Sequence, residues 1–376
     1  MSAEQVPRVV LVHDYLLVFR GAERTFAAMA DCWPQAPVAT LLHDPAATAG
    51  RFDGHEIRTS PLQRLHPDQD SFRRMLPLYP PAARRLPVSD ADLVISSSSA
   101  FAHGVRPRPG AVHLCYCHSP FRYIWHESER ALQETPALLR PAMSLLQRRL
   151  RGWDRRSTAG VTHYIANSRI TQARIRDFWG RESTVIHPPV AVERFSLAPT
   201  EDHFLLVGEL VAHKRADLAL EATQRAGQTI KVVGTGPELA ALQARYGSHA
   251  DFLGRVSDAE LDSLLARARA LIVPNVEEFG IAAVEAQAAG RPVVAARGGG
   301  SLETVIDGET GVLFSPGDAG ALAKILRHTD FDSFEPARLT AHAESFSTQR
   351  FQKRLRDTVA AAIGQVPTQT GPSQAS

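Results

Sequence analysis

The stretch that decides the fold is residues 274–314, PNVEEFGIAAVEAQAAGRPVVAARGGGSLETVIDGETGVLF. An apolar run stops at Pro274, and a polar turn then leads through Gly280 into an alanine-rich helix. A second β-type run at 292–296 follows a helix-breaking Gly-Arg-Pro, and the glycine triplet 298–300 precedes another helix. The pattern predicts two glycine-bearing loops at the carboxyl ends of adjacent parallel strands.

Loops of this kind favour an anionic ligand that also carries hydroxyl groups. Helix N-termini present unpaired N–H groups and a positive dipole, which suit phosphate. Glu277 and Glu285 would repel phosphate, so they are better suited to accept hydrogen bonds from hydroxyls. A nucleotide sugar satisfies both requirements. Spacing alone leaves an alternative open, in which Glu277 and Glu278 cap the helix and Glu285 is a solvated helical residue.

The same stretch resembles a known signature. Glu277-x7-Glu285, followed by EAQAAGRPVV from residue 285 and GETGVLF at 308–314, resembles the donor site of retaining family-4 glycosyltransferases of the GT-B fold. The resemblance implies an α/β protein with two Rossmann-like doubly wound domains and an active site in the cleft between them. The expected segments are an acceptor-side domain (1–188), a linker (189–202), a nucleotide-sugar-binding domain (203–345), a helix crossing back to the first domain (346–364) and a disordered tail (365–376).

Composition agrees with a two-domain globular enzyme. The 376 residues exceed one typical core, and 42 Lys plus Arg nearly balance 40 Asp plus Glu, which gives no sign of nucleic-acid binding. Cys32, Cys115 and Cys117 form neither a disulfide framework nor a complete zinc site, and they predict buried, reduced thiols in the cytoplasm. The apolar run at 9–19 is interrupted by His13 and Asp14, so we expect neither a signal peptide nor a membrane span.

The first strand, predicted at 6–12, leads through a loop into a helix that begins at Gly21. The loop lacks GxGxxG, which disfavours a dinucleotide site. In the family this loop has two glycines opposite the donor diphosphate. Arg20 stands in place of the first, which leaves Gly21 as the close-approach position and leaves open whether Arg20 clashes with a pyrophosphate or binds it. The run SSSSAFAHG at 96–104 predicts a polar turn.

A strand predicted at 111–117 delivers His118 to the same sheet edge. A lone histidine is more often structural. However, CYCHSPFRYIW at 115–125 resembles the branch of family 4 that includes bacterial O-antigen mannosyltransferases, in which the matching histidine lines the donor sugar. The resemblance therefore makes His118 a catalytic candidate. It assigns four residues to the acceptor side: Tyr15, Arg20, Arg122 and Tyr123.

Residues 138–164 predict a basic, amphipathic helix. Its arginines are Arg140, Arg148, Arg149, Arg151, Arg155 and Arg156. Two interpretations remain open for this helix. It could dock on an anionic membrane surface, or it could be a helix packed on the sheet with a solvated basic face.

In the second domain, a strand at 203–207 leads to Lys214, which can reach a phosphate. Glu209 replaces the family's usual arginine, and it would repel a diphosphate by on the order of a kcal/mol; Arg215 offers compensation. The resemblance makes Lys214 and Glu277 catalytic candidates together with His118. It assigns to the donor Gly21, Glu209, Arg215, Gly254, Arg255, Val256, Phe279, Gly280, Ile281, Ala282 and Glu285.

The expected activity is retaining transfer of mannose from GDP-mannose to a lipid-linked saccharide in bacterial surface polysaccharide synthesis. It would take place in the cytoplasm or at the inner membrane face. No cofactor or metal is expected, because Lys214 and loop amides would hold the diphosphate; we interpret Asp90-x-Asp92 and Asp330-x-Asp332 as caps or turns. Three alternatives remain: a UDP-sugar-dependent glycosyltransferase, a nucleotide-sugar epimerase, and a non-catalytic nucleotide-sugar-binding protein, which Glu209 favours.

Overall fold

The computed structural model describes residues 7–65 and 71–364, and the predicted tail at 365–376 lies outside this part of the chain. The chain divides into two compact units. The first contains the described residues of Met1–Asn167, Thr171–Ile186 and Gln352–Ser376, and the second contains Ser168–Ile170 and His187–Phe351.

The first unit is built on a seven-stranded sheet. Its strands are β1 (Val9–His13), β2 (Val38–Thr40), β3 (Ile57–Thr59), β4 (Leu93–Ser98), β5 (Val112–Cys117), β6 (His163–Ala166) and β7 (Ser183–Val185). All pairs are parallel, in the order β3-β2-β1-β4-β5-β6-β7. The central strands are buried on both faces, as expected for a parallel sheet covered by helices.

Helices connect these strands. They are α1 (Gly21–Ala30), α2 (Tyr79–Ala83), α3 (Ser128–Glu134), α4 (Arg140–Ser157) and α5 (Arg169–Trp179). Because the strands are parallel, all of them end at one edge of the sheet, and the loops that follow β1, β4 and β5 meet there.

The second unit repeats the architecture on a six-stranded sheet. Its strands are β8 (Phe204–Val207), β9 (Ile230–Val233), β10 (Ala250–Gly254), β11 (Leu271–Val273), β12 (Val293–Ala296) and β13 (Gly311–Phe314). Its helices are α6 (Ala216–Ala226), α7 (Leu239–Tyr246), α8 (Asp258–Arg267), α9 (Ile281–Ala288), α10 (Ser301–Thr304), α11 (Ala319–His328) and α12 (Pro336–Glu344). The parallel order β10-β9-β8-β11-β12-β13 is that of a doubly wound Rossmann sheet.

The last helix, α13 (Thr348–Gly364), joins the first unit from Gln352 onward. Its apolar side is buried at Leu355 and Val359. The Gln352 side chain donates to the Ala28 carbonyl at 3.1 Å. These contacts attach the end of the chain to the first sheet's own helices.

Three sequence interpretations in the first unit were wrong. Residues 96–98 lie inside β4 and not in a turn. Burial of their hydroxyl groups is offset because each hydroxyl has a histidine partner. The pairs are Ser96–His113 at 2.8 Å, Ser97–His13 at 3.0 Å and Ser98–His103 at 3.4 Å. The predicted basic helix ends before Tyr164, which lies in β6. Cys115 and Cys117 are buried as predicted, whereas Cys32 is partly exposed.

Candidate active site

The loops after β8, β11 and β12 share one edge of the second sheet and bring Lys214 to Glu277. Lys214 Nζ lies 2.6 Å from Glu277 Oε1, and the side chain of Asn275 donates to the same oxygen at 3.1 Å. The Lys214 and Glu277 side chains keep 31% and 21% of their surface exposed, so a ligand can reach both. The sequence predicted the two charged residues. It missed Asn275, whose only signal is its position beside Pro274 at the end of the strand.

The glycine triplet fixes the loop that carries Glu277. A Cβ at Gly299 would lie 2.2 Å from the Glu277 carbonyl oxygen, and a Cβ at Gly300 would lie 2.2 Å from Phe279 Cα. The Gly300 N–H donates to the Glu277 carbonyl at 2.8 Å. The two predicted glycine-bearing loops are therefore in backbone contact, at the ends of the adjacent strands β11 and β12.

Phe279 and Gly280 lead the chain from this loop into α9. Gly280 is the N-cap of α9 with φ +91°, a conformation that suits glycine. Phe279 is buried between His187 and Phe346. The backbone from Phe279 to Ala282 thus forms the start of α9, where the sequence placed the phosphate-facing amides.

Two further glycines join the loops after β8 and β9. A Cβ at Gly234 would lie 1.8 Å from the Gly208 carbonyl oxygen, and one at Gly236 would lie 2.3 Å from the Leu210 carbonyl oxygen. The glycine turn after β9 is thus required for close packing of the two loops. Glu209 lies between the two contact points and is exposed to solvent.

Arg215 departs from the expected compensating role. Its backbone is left-handed, with φ +54°, which costs a non-glycine residue roughly 1–2 kcal/mol. Its guanidinium pairs with Asp217, with Nε 3.1 Å from Oδ1. A diphosphate would have to compete with Asp217 before Arg215 could offset the charge of Glu209.

Glu285 is buried in α9, which contradicts its interpretation as a solvated residue. Its charge acts on Arg194. Burial opposes the charged form of Arg194, but Asp262, Glu285 and Asp258 outweigh it and raise the pKa of the guanidinium. Arg194 also donates to Asp262 through Nε at 3.2 Å.

Gly254 is the last residue of the edge strand β10, and Arg255 and Val256 follow it. Gly254 has φ +67°, and its carbonyl accepts from the Gly234 N–H at 2.8 Å. Arg255 is exposed, and Val256 packs against the core. This segment lies at the same sheet edge as Lys214 and Glu277, on β10, two strands beyond β8.

In the first unit, His118 ends a chain of polar side chains. Its Nε2 lies 2.8 Å from Ser97 Oγ, which lies 3.0 Å from His13 Nδ1. Glu23 Oε1 faces His13 Nε2 at 3.6 Å, and Glu23 Oε2 accepts from the Arg20 N–H at 2.9 Å. Burial, with a smaller effect from His13, lowers the pKa of His118 to about 3, so its ring is neutral at pH 7.

Asp14 joins two loops at this edge. Its buried carboxylate accepts from four consecutive backbone N–H groups, with two bonds to each oxygen, at 2.5–2.9 Å. The donors are Ser99, Ala100, Phe101 and Ala102. The loop after β4 is therefore fixed to the end of β1.

A cavity of about 450 Å³ opens beside these loops, within the first unit. Of the four residues assigned to the acceptor side, Tyr15, Arg122 and Tyr123 line this cavity and Arg20 does not; Gly21, assigned to the donor, does not line it either. Its apolar wall is formed by Phe72, Leu76, Phe121, Ile124, Met143, Leu146 and Leu150. Arg20 is the exposed N-cap residue of α1, and Gly21 is its first helical residue.

Helix α4 supports this cavity and presents a surface beyond it. Gln147 is buried and donates to the Tyr123 and Ser128 carbonyls, at 2.9 Å each. Arg151 donates to the Ile124 carbonyl, so it holds the loop after β5 and is not a free surface charge.

The outward side of the same region carries exposed leucines and arginines. Leu138 and Leu145 expose 95% and 50% of their surface, and Arg148 and Arg149 are exposed one turn further along.

The acidic pairs Asp90-x-Asp92 and Asp330-x-Asp332 lie away from these clusters. Asp330 caps a short turn, as predicted. Asp92 instead pairs with Arg8 and Arg108, and the Arg8 backbone N–H is the main cause that lowers the pKa of this carboxyl to about 2. Among residues 7–65 and 71–364, no group of three or more His, Cys, Asp or Glu side chains is arranged to hold a metal ion.

Two family models match adjacent parts of the chain. A model described as Glycosyltransferase Family 4 matches residues 19–194, and one described as Glycosyl transferases group 1 matches residues 191–339. The chain belongs to the family-4 glycosyltransferases. The matches meet near the boundary between the two units, so each Rossmann-like unit of this family-4 glycosyltransferase corresponds to one model.

Curated relatives match only part of this family-4 glycosyltransferase. A glycogen synthase of Mycobacterium tuberculosis is 34% identical over 47% of the chain and 44% of its own length. A GDP-mannose-dependent alpha-(1-6)-phosphatidylinositol monomannoside mannosyltransferase of Mycolicibacterium smegmatis is 28% identical over 50% of the chain and 58% of its own length. The chain thus spans about half the length of the curated relatives it matches.

A solved structure covers more of the chain. HepE from Anabaena, crystallised with UDP-glucose, superposes with a TM-score of 0.68 at 20% identity, over 94% of this chain and 99% of that one. The likeness confirms the GT-B fold with its two Rossmann-like domains, as expected from the sequence. In the described part of this family-4 glycosyltransferase, no helix is long and apolar enough to span a membrane.

Proposed function

We propose that the protein is a retaining glycosyltransferase that moves mannose from GDP-mannose to a lipid-linked saccharide in bacterial surface polysaccharide synthesis. The observation that carries the proposal is the Lys214–Glu277 pair, 2.6 Å apart, at the edge of a Rossmann sheet where the glycine loops meet. It combines a cation for a diphosphate with a carboxylate for sugar hydroxyls, at the place where such sheets bind nucleotides.

The second unit would hold the donor. The diphosphate would draw Lys214 away from Glu277 and receive N–H groups from the start of α9, which stabilises the negative charge that develops on the leaving group. Glu277, still held by Asn275, would accept a hydroxyl of the sugar. The energy of the Lys214–Glu277 contact is small because both side chains are part-exposed, so the exchange costs little.

In the scheme that we propose, the acceptor oxygen attacks from the side from which the leaving group departs, which retains the anomeric configuration without a covalent intermediate on the protein. The bond between the anomeric carbon and the phosphate oxygen breaks, the bond to the acceptor oxygen forms, and the acceptor proton passes to the departing diphosphate. No protein nucleophile takes part. His118 of the first unit would contribute a hydrogen bond to the donor sugar, and nucleotide, sugar and acceptor need no cofactor or metal in this scheme.

The cavity in the first unit supports an acceptor with an apolar part. Its wall is largely aromatic and aliphatic, with Arg122 available for a phosphate of the acceptor. The exposed Leu138 and Leu145 beside Arg148 and Arg149 support peripheral contact with an anionic membrane, at the inner face of the cytoplasmic membrane.

Membrane contact has its own test. Arg148→Glu with Arg149→Glu should weaken binding to phosphatidylserine vesicles by about 30-fold or more, because each basic residue near the surface contributes about 1 kcal/mol. Arg151 is left intact because it holds the Ile124 carbonyl. The matched control, Arg350→Glu with Lys353→Glu on α13, makes the same change in net charge and should bind like the unchanged protein. Equal binding by all three proteins would remove the membrane proposal.

A UDP-sugar is the second candidate donor, because HepE, with the same fold, was solved with UDP-glucose. A thermal-shift panel of GDP, UDP, ADP and their sugar conjugates separates the two, since a ligand stabilises the state that binds it. Selective stabilisation by GDP and GDP-mannose supports the proposal. Selective stabilisation by UDP compounds indicates that the donor is a UDP-sugar instead. No response to any nucleotide contradicts both. The anomeric configuration of a transfer product, read by NMR, then tests retention.

A further inference from the structure

The chain of side chains behind His118 is continuous and enclosed. Glu23, His13 and Ser97 are all buried, and the His13 ring stacks on Phe26 with 4.7 Å between ring centres. The two contacts of Ser97, at 3.0 Å to His13 Nδ1 and 2.8 Å to His118 Nε2, are hydrogen-bond distances. No spacing in the sequence connects these residues, which come from β1, α1, β4 and the loop after β5.

The carboxylate of Glu23 determines the direction of these hydrogen bonds. Burial opposes its ionisation, but His13 and the backbone N–H of Arg20 outweigh burial and lower the pKa of Glu23. With Glu23 ionised 3.6 Å from His13 Nε2, a lone pair on that nitrogen would face a negative charge, whereas an N–H would face it favourably. A neutral His13 therefore carries its proton on Nε2 and presents a lone pair at Nδ1.

The remaining steps concern the form of the protein in which His13 is neutral, because the number of protons in the row of side chains is then fixed. Ser97 has one hydroxyl proton, and the Nδ1 lone pair of His13 takes it as a hydrogen bond. The Ser97 oxygen then accepts from His118, so the neutral ring of His118 carries its proton on Nε2. The other ring nitrogen, Nδ1, keeps its lone pair and can therefore accept a hydrogen bond.

We propose that Glu23, His13 and Ser97 are positioning residues that select the tautomer of His118, leaving its Nδ1 as a hydrogen-bond acceptor for a ligand hydroxyl. The ligand part of the inference rests on the proposed function, in which a hydroxyl group of the sugar donates this hydrogen bond. The tautomer itself is a property of the protein without ligand, so it can be tested separately.

Glu23→Gln should reverse the direction of the hydrogen bonds between these side chains without changing their positions. The Arg20 N–H requires an acceptor, so the amide oxygen takes the place of Oε2 and the amide NH₂ faces His13. The NH₂ group donates to His13 Nε2, and the His13 proton moves to Nδ1 and donates to Ser97. The Ser97 hydroxyl then donates to His118 Nε2, which leaves the His118 proton on Nδ1.

NMR with ¹⁵N-labelled histidine measures this directly, because the two ring nitrogens of a neutral histidine have different shifts with and without a proton. His118→Gln assigns the signal. We expect the Nε2–H form in the unchanged protein and a majority of the Nδ1–H form in Glu23→Gln. The reversal should disappear when Ser97→Ala is added, because the chain is then interrupted.

Glu303→Gln is the matched control, since Glu303 is a buried carboxylate whose Oε2 lies 2.8 Å from His187 Nε2 in the second unit. It should change the His187 signal and leave His118 unchanged. An Nδ1–H form of His118 in the unchanged protein overturns the proposal, as does an unchanged signal in Glu23→Gln. Either result leaves the nucleotide-binding panel unaffected, so the two proposals fail independently.

Discussion

The two charged clusters of the molecule, one around Glu23 and His13 and the other around Lys214 and Glu277, differ in how far their side chains are buried and in what they contact. The Glu23 and His13 side chains expose 11% and 3% of their surface, and their polar contacts lie within the unit. Lys214 and Glu277 are part-exposed and contact each other, and Glu277 also accepts a hydrogen bond from Asn275. The closed cluster orients a side chain, whereas the open pair can change partners when a ligand arrives. A buried carboxylate and an exposed one at equivalent sheet edges therefore have different tasks.

Lys214→Ala is expected to have the largest effect, and it tests whether the open pair binds the leaving group. If the open pair binds the leaving group, kcat should fall about 100- to 1,000-fold, in line with the loss of one charge-stabilising donor. Unfolding free energy should change by less than about 1 kcal/mol, because part-exposed ion pairs contribute little. Steady-state kinetics and denaturant titration measure the two quantities. Lys231→Ala, which removes a similarly part-exposed partner of Glu201 from β9, is the control and should leave both nearly unchanged.

Gly300→Ala tests whether the open pair depends on its backbone support. The added Cβ would lie 2.2 Å from Phe279 Cα and from its carbonyl oxygen, so the loop that carries Glu277 must move. We expect a loss of about 2 kcal/mol in unfolding free energy together with weaker nucleotide binding. Gly54→Ala, where a Cβ would meet nothing within 4 Å, should cost much less. Equal losses in the two variants would mean that the triplet does not support the site.

Glu209→Arg sharpens the comparison by adding the cation that the family usually has. Glu209 is exposed to solvent in the loop after β8. Replacing a repulsive charge should tighten donor binding by about tenfold, or about 1.4 kcal/mol. Calorimetry with GDP-mannose and UDP-glucose measures it. A gain of several orders of magnitude in transfer activity would instead indicate that the natural site is degenerate.

The last prediction concerns the acid sensitivity of the closed cluster. Burial lowers the pKa of His118 from 6.5 to about 3, so the unfolded chain binds a proton that the folded one does not. Stability should therefore fall as the pH is lowered from about 6.5 toward 3, and His118→Gln should make the decline less steep. Part of the decline in stability should remain in this variant, because burial also lowers the pKa of His113 to about 3. A denaturation series across this range that gives the same slope for both proteins would contradict the assignment.

Much of the second unit could be predicted from the sequence because its signals are local. The alternation of apolar runs with Gly280 and the triplet at 298–300 specifies two βα loops, and the sheet places them side by side. The distance between Lys214 and Glu277 was beyond sequence reasoning, because it depends on loops separated by 63 positions. Asn275 was missed for the same reason: its role exists only once Glu277 is in place.

The first unit was harder to predict because its polar residues are buried. Serines at 96–98 indicate a turn by composition, yet they lie in a central strand because histidines from neighbouring elements satisfy them. His13 could be recognised only as an interruption of an apolar run. Its link to His118 passes through Ser97, 84 positions away, and no spacing rule reports such a pair.

The four amides held by Asp14 also constrain how the protein can be redesigned. An insertion or a proline among Ser99–Ala102 would remove N–H groups from a buried carboxylate, so this loop is a poor place to introduce diversity. Helix α4 also lines the cavity, through the apolar side chains of Met143 and Leu146, which bind no buried charge. A library aimed at new acceptors should therefore vary α4 and keep the Asp14 loop unchanged.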